Sequence, residues 1–388
     1  MRTRPIPPGP APHPMAAGPG YVPELDGLRA LSILIVILSH AGLGRIVPGG
    51  FGVTLFFGIS GFIITRLLLA EHKARGRIDF AAFYLRRAVR LYPALLVFVA
   101  LASAALLAMG VEPGSGPLAS ALLYFVNYWR IWTSYETGIE TFPHPFGILW
   151  SLAIEEHFYL LFPALLWLTL RRGFLPLILA LVAASLAWRL VLVTGCAPGG
   201  SLSGGLACGR DVADRIYLGT DTRLDAMLYG CLLAWLADRP PARWTAALLR
   251  HPAAALAALA LILASLLYRD ALFRDTWRYS LQSLAILLGL GPLLFAPTLA
   301  RARAALRWAP LQLLGRMSYV LYLMHWLAIC LACLLTGQTL RETAYSPAWY
   351  AAAIPLTVAL SAAVYWGVEK PVARWRHRMR ARQVVAVA

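Results

Sequence analysis

The sequence predicts an all-α fold, a polytopic transmembrane helix bundle of about ten spans with both termini in the cytoplasm. Three observations predict it. The chain is 60% hydrophobic and only 14% charged. Its apolar residues fall into runs of about 20, the length a helix needs to cross hydrocarbon, bounded by Arg, Pro or Gly clusters. The basic residues that give a net charge of +17 lie mostly beside those runs, where they read as topology and anionic-lipid contact rather than as a nucleic-acid surface. No nucleic-acid partner is expected.

Taken in order, residues 1–20 contain Pro-Ile-Pro-Pro-Gly-Pro and Pro-His-Pro, cannot hold a helix, and lack the apolar core of a signal peptide, so they read as a disordered tail. Spans are predicted at 28–46, 51–70, 91–110, 148–170, 174–194, 215–237, 251–268, 280–298, 312–336 and 347–368. The stretch Leu118 to Trp132 is apolar and aromatic but short, which suits an interfacial or re-entrant helix. The bundle domain runs from 21 to 371, and residues 372–388 form a basic cytoplasmic tail. No internal repeat or soluble domain is evident. Placing the N-terminus inside puts 22 of the 35 Lys and Arg residues on the cytoplasmic side and eight on the opposite face. The other five, Arg29, Arg66, Arg189, Arg223 and Arg316, fall within or at the ends of spans.

Cysteines divide by location. Cys196 and Cys208 fall in the external loop between the fifth and sixth spans, where an oxidising compartment would permit a disulfide. Cys330 and Cys333 have C-x-x-C spacing but lie in an apolar helix without a second ligand pair, so they read as core packing, and no metal site is expected.

The chemistry-bearing residues sit inside the apolar runs. Arg29 and His40 share the first span, and eleven residues at about 100° each would leave them within roughly 20° of one another and about 16 Å apart along the axis. Arg86, Arg87 and Arg90 stand at the cytoplasmic mouth of the third span, where guanidinium forks suit a polyphosphate and equally suit a positive-inside anchor. Glu155, Glu156 and His157 are consecutive in the fourth span. The two carboxylates point about 100° apart, so one at most faces the cleft of His40 and the other is free to meet an Arg such as Arg189 or Arg223. Arg223 and Asp225 lie in the sixth span, and Ser318, Tyr322 and His325 follow at spacings of four and three on one face of the ninth. These later groups read as a satisfied interhelical network.

Several of these segments, in this order, resemble the acyltransferase-3 family of integral membrane O-acyltransferases. They are Asp26-Gly-Leu-Arg-Ala30 with His40 beyond it, Gly52-Val-Thr-Leu-Phe-Phe-Gly-Ile-Ser-Gly-Phe62, Arg87-x-x-Arg90, Trp150-Ser-Leu-x-x-Glu-Glu-His-Phe-Tyr159, Arg223-x-Asp225, Ser318-Tyr-x-x-Tyr-Leu-x-His325 and Glu369-Lys-Pro371. The resemblance covers about Tyr21 to Pro371, and His157 stands where many members carry Gln.

The resemblance implies a ten-span enzyme of a bacterial inner membrane that moves an acyl group, commonly acetyl, from cytoplasmic acyl-CoA to a hydroxyl of a carbohydrate or glycosylated acceptor. Surface polysaccharides and macrolide-type metabolites are both within its range. It implies the stand-alone form, without a fused hydrolase-like domain, and acyl-CoA as donor substrate rather than a tightly bound cofactor. Under it, Arg29, Arg86, Arg87 and Arg90 hold the donor's phosphates and His40, near mid-membrane, acts as general base or is transiently acylated. Glu155 or Glu156 orients that histidine, and Asp26 either joins the polar network or pairs Arg29 across one turn. The competing class is a proton-coupled transporter or flippase of a sugar-bearing or lipid-linked substrate, in which the same buried groups relay protons. Such a protein would show two matching Gly/Pro-broken halves, which this sequence lacks.

Overall fold

Long apolar helices with well-defined ends make up the molecule, and the start and stop signals in the sequence account for most of those ends. A computed structural model describes residues 21–133, 144–170, 172–195, 210–239, 242–339 and 345–375. The major helices are α1 (Pro23–Leu38), α2 (Gly49–Arg75), α3 (Phe80–Ala108), α4 (Trp150–Thr169), α5 (Phe174–Thr194), α6 (Thr220–Ala237), α7 (Pro252–Leu267), α8 (Trp277–Phe295), α9 (Ser318–Thr336) and α10 (Pro347–Val364). Proline opens α1, α7 and α10, where its missing N–H costs nothing. Asp79 caps α3 by accepting from the Ala82 amide at 2.9 Å, and left-handed Gly76 and Gly337 close α2 and α9. Among the described residues there are no strands.

Eight helices are long and apolar enough to cross a membrane, and a ninth candidate is the helix pair Arg243–Arg250 and Pro252–Leu267, bent by 60°. The protein is thus a multi-pass membrane helix bundle, with eight or nine such spans against an expectation of ten. The shortfall is α6, which carries Asp221, Arg223 and Asp225 within its 18 residues. Burial explains this helix: α2, α4, α5 and α8 surround it, and nearly all its side chains are enclosed. A helix that meets no lipid needs no lipid-like surface. Leucines that do stay exposed, such as Leu96 on α3, Leu160 on α4, Leu179 on α5 and Leu259 on α7, form the outward apolar face.

The segment from Leu118 to Trp132 forms parts of two short helices, Ser115–Leu122 and Val126–Trp132, neither long enough to cross. A break at Met317 divides the ninth predicted span into Ala309–Arg316 and α9. The two tails, and Cys196 with Cys208, lie outside the described residues. Cys330 and Cys333 are fully buried, and the Cys333 sulfur accepts from the Trp349 indole at 3.3 Å.

Helices α2 and α6 cross at backbone contact, as small residues permit in membranes. A Cβ at Gly61 would collide with the Met227 carbonyl, and one at Gly230 with the Gly58 carbonyl. Gly230→Val is therefore expected to destabilise the protein by about 1–3 kcal/mol, read as a lowered unfolding midpoint in detergent. Gly367→Ala, where no atom lies within 4 Å of the added carbon, should leave that midpoint unchanged.

Candidate active site

His40 stands two residues past the end of α1, where the chain is about to leave the helix. After Leu38 the chain widens into a π-type turn over Ser39–Leu43, in which Ala41 and Gly42 leave helical geometry and Gly42 takes φ +88°. A side chain there would be strained and would press on the Tyr345 ring. The turn is pinned from α10, since the Tyr350 hydroxyl donates to the Ala41 carbonyl at 3.0 Å. Single π-type turns inside helices recur at functional sites because they reorient a side chain without unfolding its helix. Here the turn carries His40, which reaches α9.

His40 Nδ1 lies 3.1 Å from His325 Nε2, with ring centroids 5.4 Å apart and planes within 9°. That separation is what an in-plane, edge-to-edge hydrogen bond gives rather than a stack. The proton positions follow from the next partner. His325 Nδ1 is 2.9 Å from the Leu321 carbonyl, which can only accept, so Nδ1 carries the hydrogen. With both rings neutral, His325 Nε2 must then accept, His40 Nδ1 must donate, and the lone pair of His40 is left on Nε2. Trp326 closes the His40 ring from its edge at 5.0 Å between centroids. His325 stands two turns into α9, about 10 Å from that helix's start, so the pair is inside the bundle although His40 terminates α1.

About one helical turn from this pair, and lined by neither histidine, is a cavity walled by α1, α2, α3, α4 and α9. Arg29, Arg87 and Arg90 line it, with Glu155 among them. Tyr322, whose ring centroid is 5.7 Å from that of His325, lines it too. Arg87 is fixed from two sides: Glu156 accepts from its Nη2 at 2.9 Å, and its guanidinium lies 3.3 Å from the Tyr159 ring centroid. Glu156 and Tyr159, three apart on α4, thus grip one arginine. Arg29 rests over Phe56 at 5.1 Å. Four polar atoms on cavity-lining side chains lack a protein partner: Arg29 Nε, Arg87 Nε, Glu155 Oε1 and Ser318 Oγ. Tyr322, in contrast, is satisfied. Its hydroxyl donates to the Ile148 carbonyl at 2.9 Å and therefore accepts from Ser151 at 2.6 Å.

A separate polar cluster holds the centre of α6. Arg189 and Asp225 form a fully buried ion pair at 2.8 Å, closed by Ser280, which accepts from Arg189 at 2.6 Å and donates to Asp225 at 2.8 Å. Arg189 also donates to the Thr222 carbonyl. Arg223 donates to Thr54 at 3.1 Å and lies over Tyr279 at 4.2 Å and Tyr217 at 5.2 Å. His157 meets Thr220 Oγ1 at 2.7 Å, tying α4 to the start of α6.

Over residues 22–366 the chain matches the family described as an acyltransferase domain. The chain belongs to the acyltransferase-3 family. Among its relatives is a Bacillus subtilis protein named "Putative peptidoglycan O-acetyltransferase YrhL", 32% identical over 385 residues, which are 94% of this chain and 57% of that protein. The O-acetyltransferase OatA of Staphylococcus aureus is 34% identical over 228 residues, 56% of this chain and 35% of its own length. The chain spans little more than half the length of the first relative and about a third of the second. No solved structure matches it.

In this member of the acyltransferase-3 family, the expected site residues divide. Arg29, Arg87, Arg90, Glu155, Ser318 and Tyr322 share one cavity. Arg86 does not join them, because Glu71 draws it away at 3.2 Å. Asp26 accepts from the Tyr21 hydroxyl at 2.5 Å instead of pairing Arg29. The place beside His40 expected for a glutamate belongs to His325, and Glu156 meets Arg87 rather than Arg189 or Arg223. Tyr159 under Arg87 and Trp326 beside His40 were not anticipated. A helical repeat of Glu156 and Tyr159 was a readable signal for the first, and the second sits next to a residue already singled out.

Asp225→Ala is expected to cost about 3–5 kcal/mol, since it strands a buried guanidinium, whereas Asp225→Leu combined with Arg189→Met should recover most of that loss. Unfolding midpoints of the single and paired variants in one detergent check it.

Proposed function

We propose that the protein is a membrane O-acyltransferase that transfers an acyl group, acetyl in the first instance, from acyl-CoA at the cytoplasmic face of a bacterial inner membrane to a hydroxyl of a carbohydrate acceptor. Family membership supports the reaction class, and the names of the relatives, both O-acetyltransferases and one of peptidoglycan, support the acetyl group and a glycan acceptor. The observation that carries the reading is the His40–His325 bond at 3.1 Å, held about one helical turn from a cavity lined by three arginines, whose wall includes Val36 and Tyr322 on the same two helices.

In this reading Arg29, Arg87 and Arg90 receive the phosphates of CoA, a task for which guanidinium forks are suited. Glu156 and Tyr159 keep Arg87 in place, while Glu155 tempers the positive charge of the cavity. The cavity, which runs from Arg87 and Arg90 to Val36 and Tyr322, receives the acyl-pantetheine arm and leads the thioester toward the histidine pair. The acceptor hydroxyl gives its proton to His40 Nε2 as its oxygen attacks the thioester carbonyl. Collapse of the tetrahedral intermediate breaks the C–S bond, and the proton on His40 passes to the departing thiolate. His325 is a positioning residue: it accepts from His40 Nδ1 and so holds the base in one tautomer. Ser318, whose hydroxyl has no protein partner, lies about two turns from His325 toward the cytoplasmic end of α9 and is available to the donor's pantetheine arm.

Purified protein in nanodiscs, given labelled acetyl-CoA and peptidoglycan fragments, tests this. His40→Ala is expected to lower transfer at least about a hundredfold with CoA binding retained. His325→Phe should lower kcat and leave the KM for acetyl-CoA unchanged. Arg90→Ala should weaken CoA binding roughly tenfold to a hundredfold, the loss of one charge-assisted contact. Absence of CoA binding and of transfer to any glycan, together with proton-driven solute uptake into vesicles, would replace the reading with a transporter.

A further inference from the structure

A second cavity of about 910 Å³ lies on the other side of the turn that carries His40. Ser39, the residue before His40, is in its wall. Helix α2 joins the two spaces end to end, since Gly49 and Gly50 line this cavity while Gly52 and Val53 line the one assigned to the donor.

Four arginines converge on it: Arg45 from the α1–α2 loop, Arg269 and Arg274 from the α7–α8 connection, and Arg278 from the first turn of α8. None of the four forms an ion pair within 4 Å among the described residues. Arg278 donates to the Tyr279 hydroxyl at 3.1 Å, and Asp275 is a carboxylate whose charge reaches Arg274 and Arg278. Arg45, Arg269 and Arg274 are exposed. On the expected orientation this is the external face, which the positive-inside rule keeps poor in basic residues. Yet four of the eight basic residues assigned to that face meet in this one cavity. Topology does not call for them there. Tyr268, which is exposed, adds a ring on which a sugar's C–H face can rest, while Tyr217 and Tyr279 line the wall with Arg223 over their rings.

We infer that this cavity binds the acceptor and that the acceptor is an anionic saccharide, one carrying a carboxylate or a phosphate. The inference rests on the acyltransferase reading, under which the hydroxyl must arrive at His40 from the side opposite the CoA phosphates. Guanidinium groups recognise carboxylate and phosphate by the same paired donors, so either anion satisfies the site.

The test is binding of three probes to the full chain in phosphatidylcholine nanodiscs, measured by calorimetry. Trigalacturonate carries carboxylates, glucose 6-phosphate carries a phosphate, and maltotriose is neutral. At least one anionic probe is expected to bind at least tenfold more tightly than maltotriose, with an affinity that falls as salt rises, and whichever binds identifies the anion. The paired variant Arg274→Gln and Arg278→Gln should weaken that binding at least tenfold. The charge-conserving pair Arg274→Lys and Arg278→Lys should retain most of it, which separates a lost charge from a misfolded protein. Equal binding of the neutral probe would overturn the inference, as would unchanged binding to the glutamine pair. So would loss of saccharide binding when phosphatidylglycerol is included, which would assign the arginines to lipid headgroups. CoA binding by the same wild-type preparation tests the donor cavity separately: its failure would remove the acyltransferase reading while leaving the saccharide result to stand by itself.

Discussion

A charge inside a lipid-embedded bundle must find a partner or a polar cavity, because hydrocarbon offers neither. That constraint organises this molecule. Arg189 and Asp225 are both fully buried, and they pair with each other and with Ser280. The helix that carries Asp225 and Arg223 is accordingly enclosed by its neighbours, with α2 crossing it through Gly58, Gly61 and Gly230 at backbone distance. Around this centre the outer helices need only present leucine to lipid. Half-buried Arg29, Arg87 and Arg90, with buried Glu155, collect instead on the wall of one cavity. One demand thus has two answers: some charges are enclosed among protein partners, and others face a space that a ligand's charge would fill.

The donor cavity and the arginine-rich cavity above it lie along a common helix, with the His40 turn between them. On the acyltransferase reading proposed above, that arrangement would bring a polar acceptor and a membrane-impermeant donor to one base from opposite directions without either crossing the bilayer. The turn at Ser39–Leu43 ends α1 between the two spaces: Val36 lines the first and Ser39 the second.

Much of this was legible in the sequence because it depends on local pattern. Apolar runs located the long helices, Pro and Gly located many of their ends, and the 100° between Glu155 and Glu156 separated a carboxylate on the cavity wall from one that holds an arginine. Other features depend on what a helix meets, which a single sequence does not record. Helix α6 carries Asp221, Arg223 and Asp225 because protein, not lipid, surrounds it. Arg86 and Arg87 are adjacent and chemically equal; only the position of Glu71 on α2 diverts the first, and only Glu156 on α4 recruits the second. The π-type turn lies in Ser-His-Ala-Gly-Leu, a run compatible with helix, with Gly42 its single local sign. The bond between His40 and His325 joins residues 285 apart, so both were visible as chemistry-bearing groups and their pairing was not.

The central claim is that His325 fixes the His40 tautomer, leaving the lone pair on Nε2. Nitrogen-15 NMR of protein labelled at histidine, in nanodiscs, reads it directly. The account predicts that His40 shows a protonated Nδ1 and an unprotonated Nε2 at neutral pH, and that His325→Phe turns this into a mixture of the two tautomers. A His40 protonated at Nε2 in the wild type, or a spectrum indifferent to His325, would contradict it.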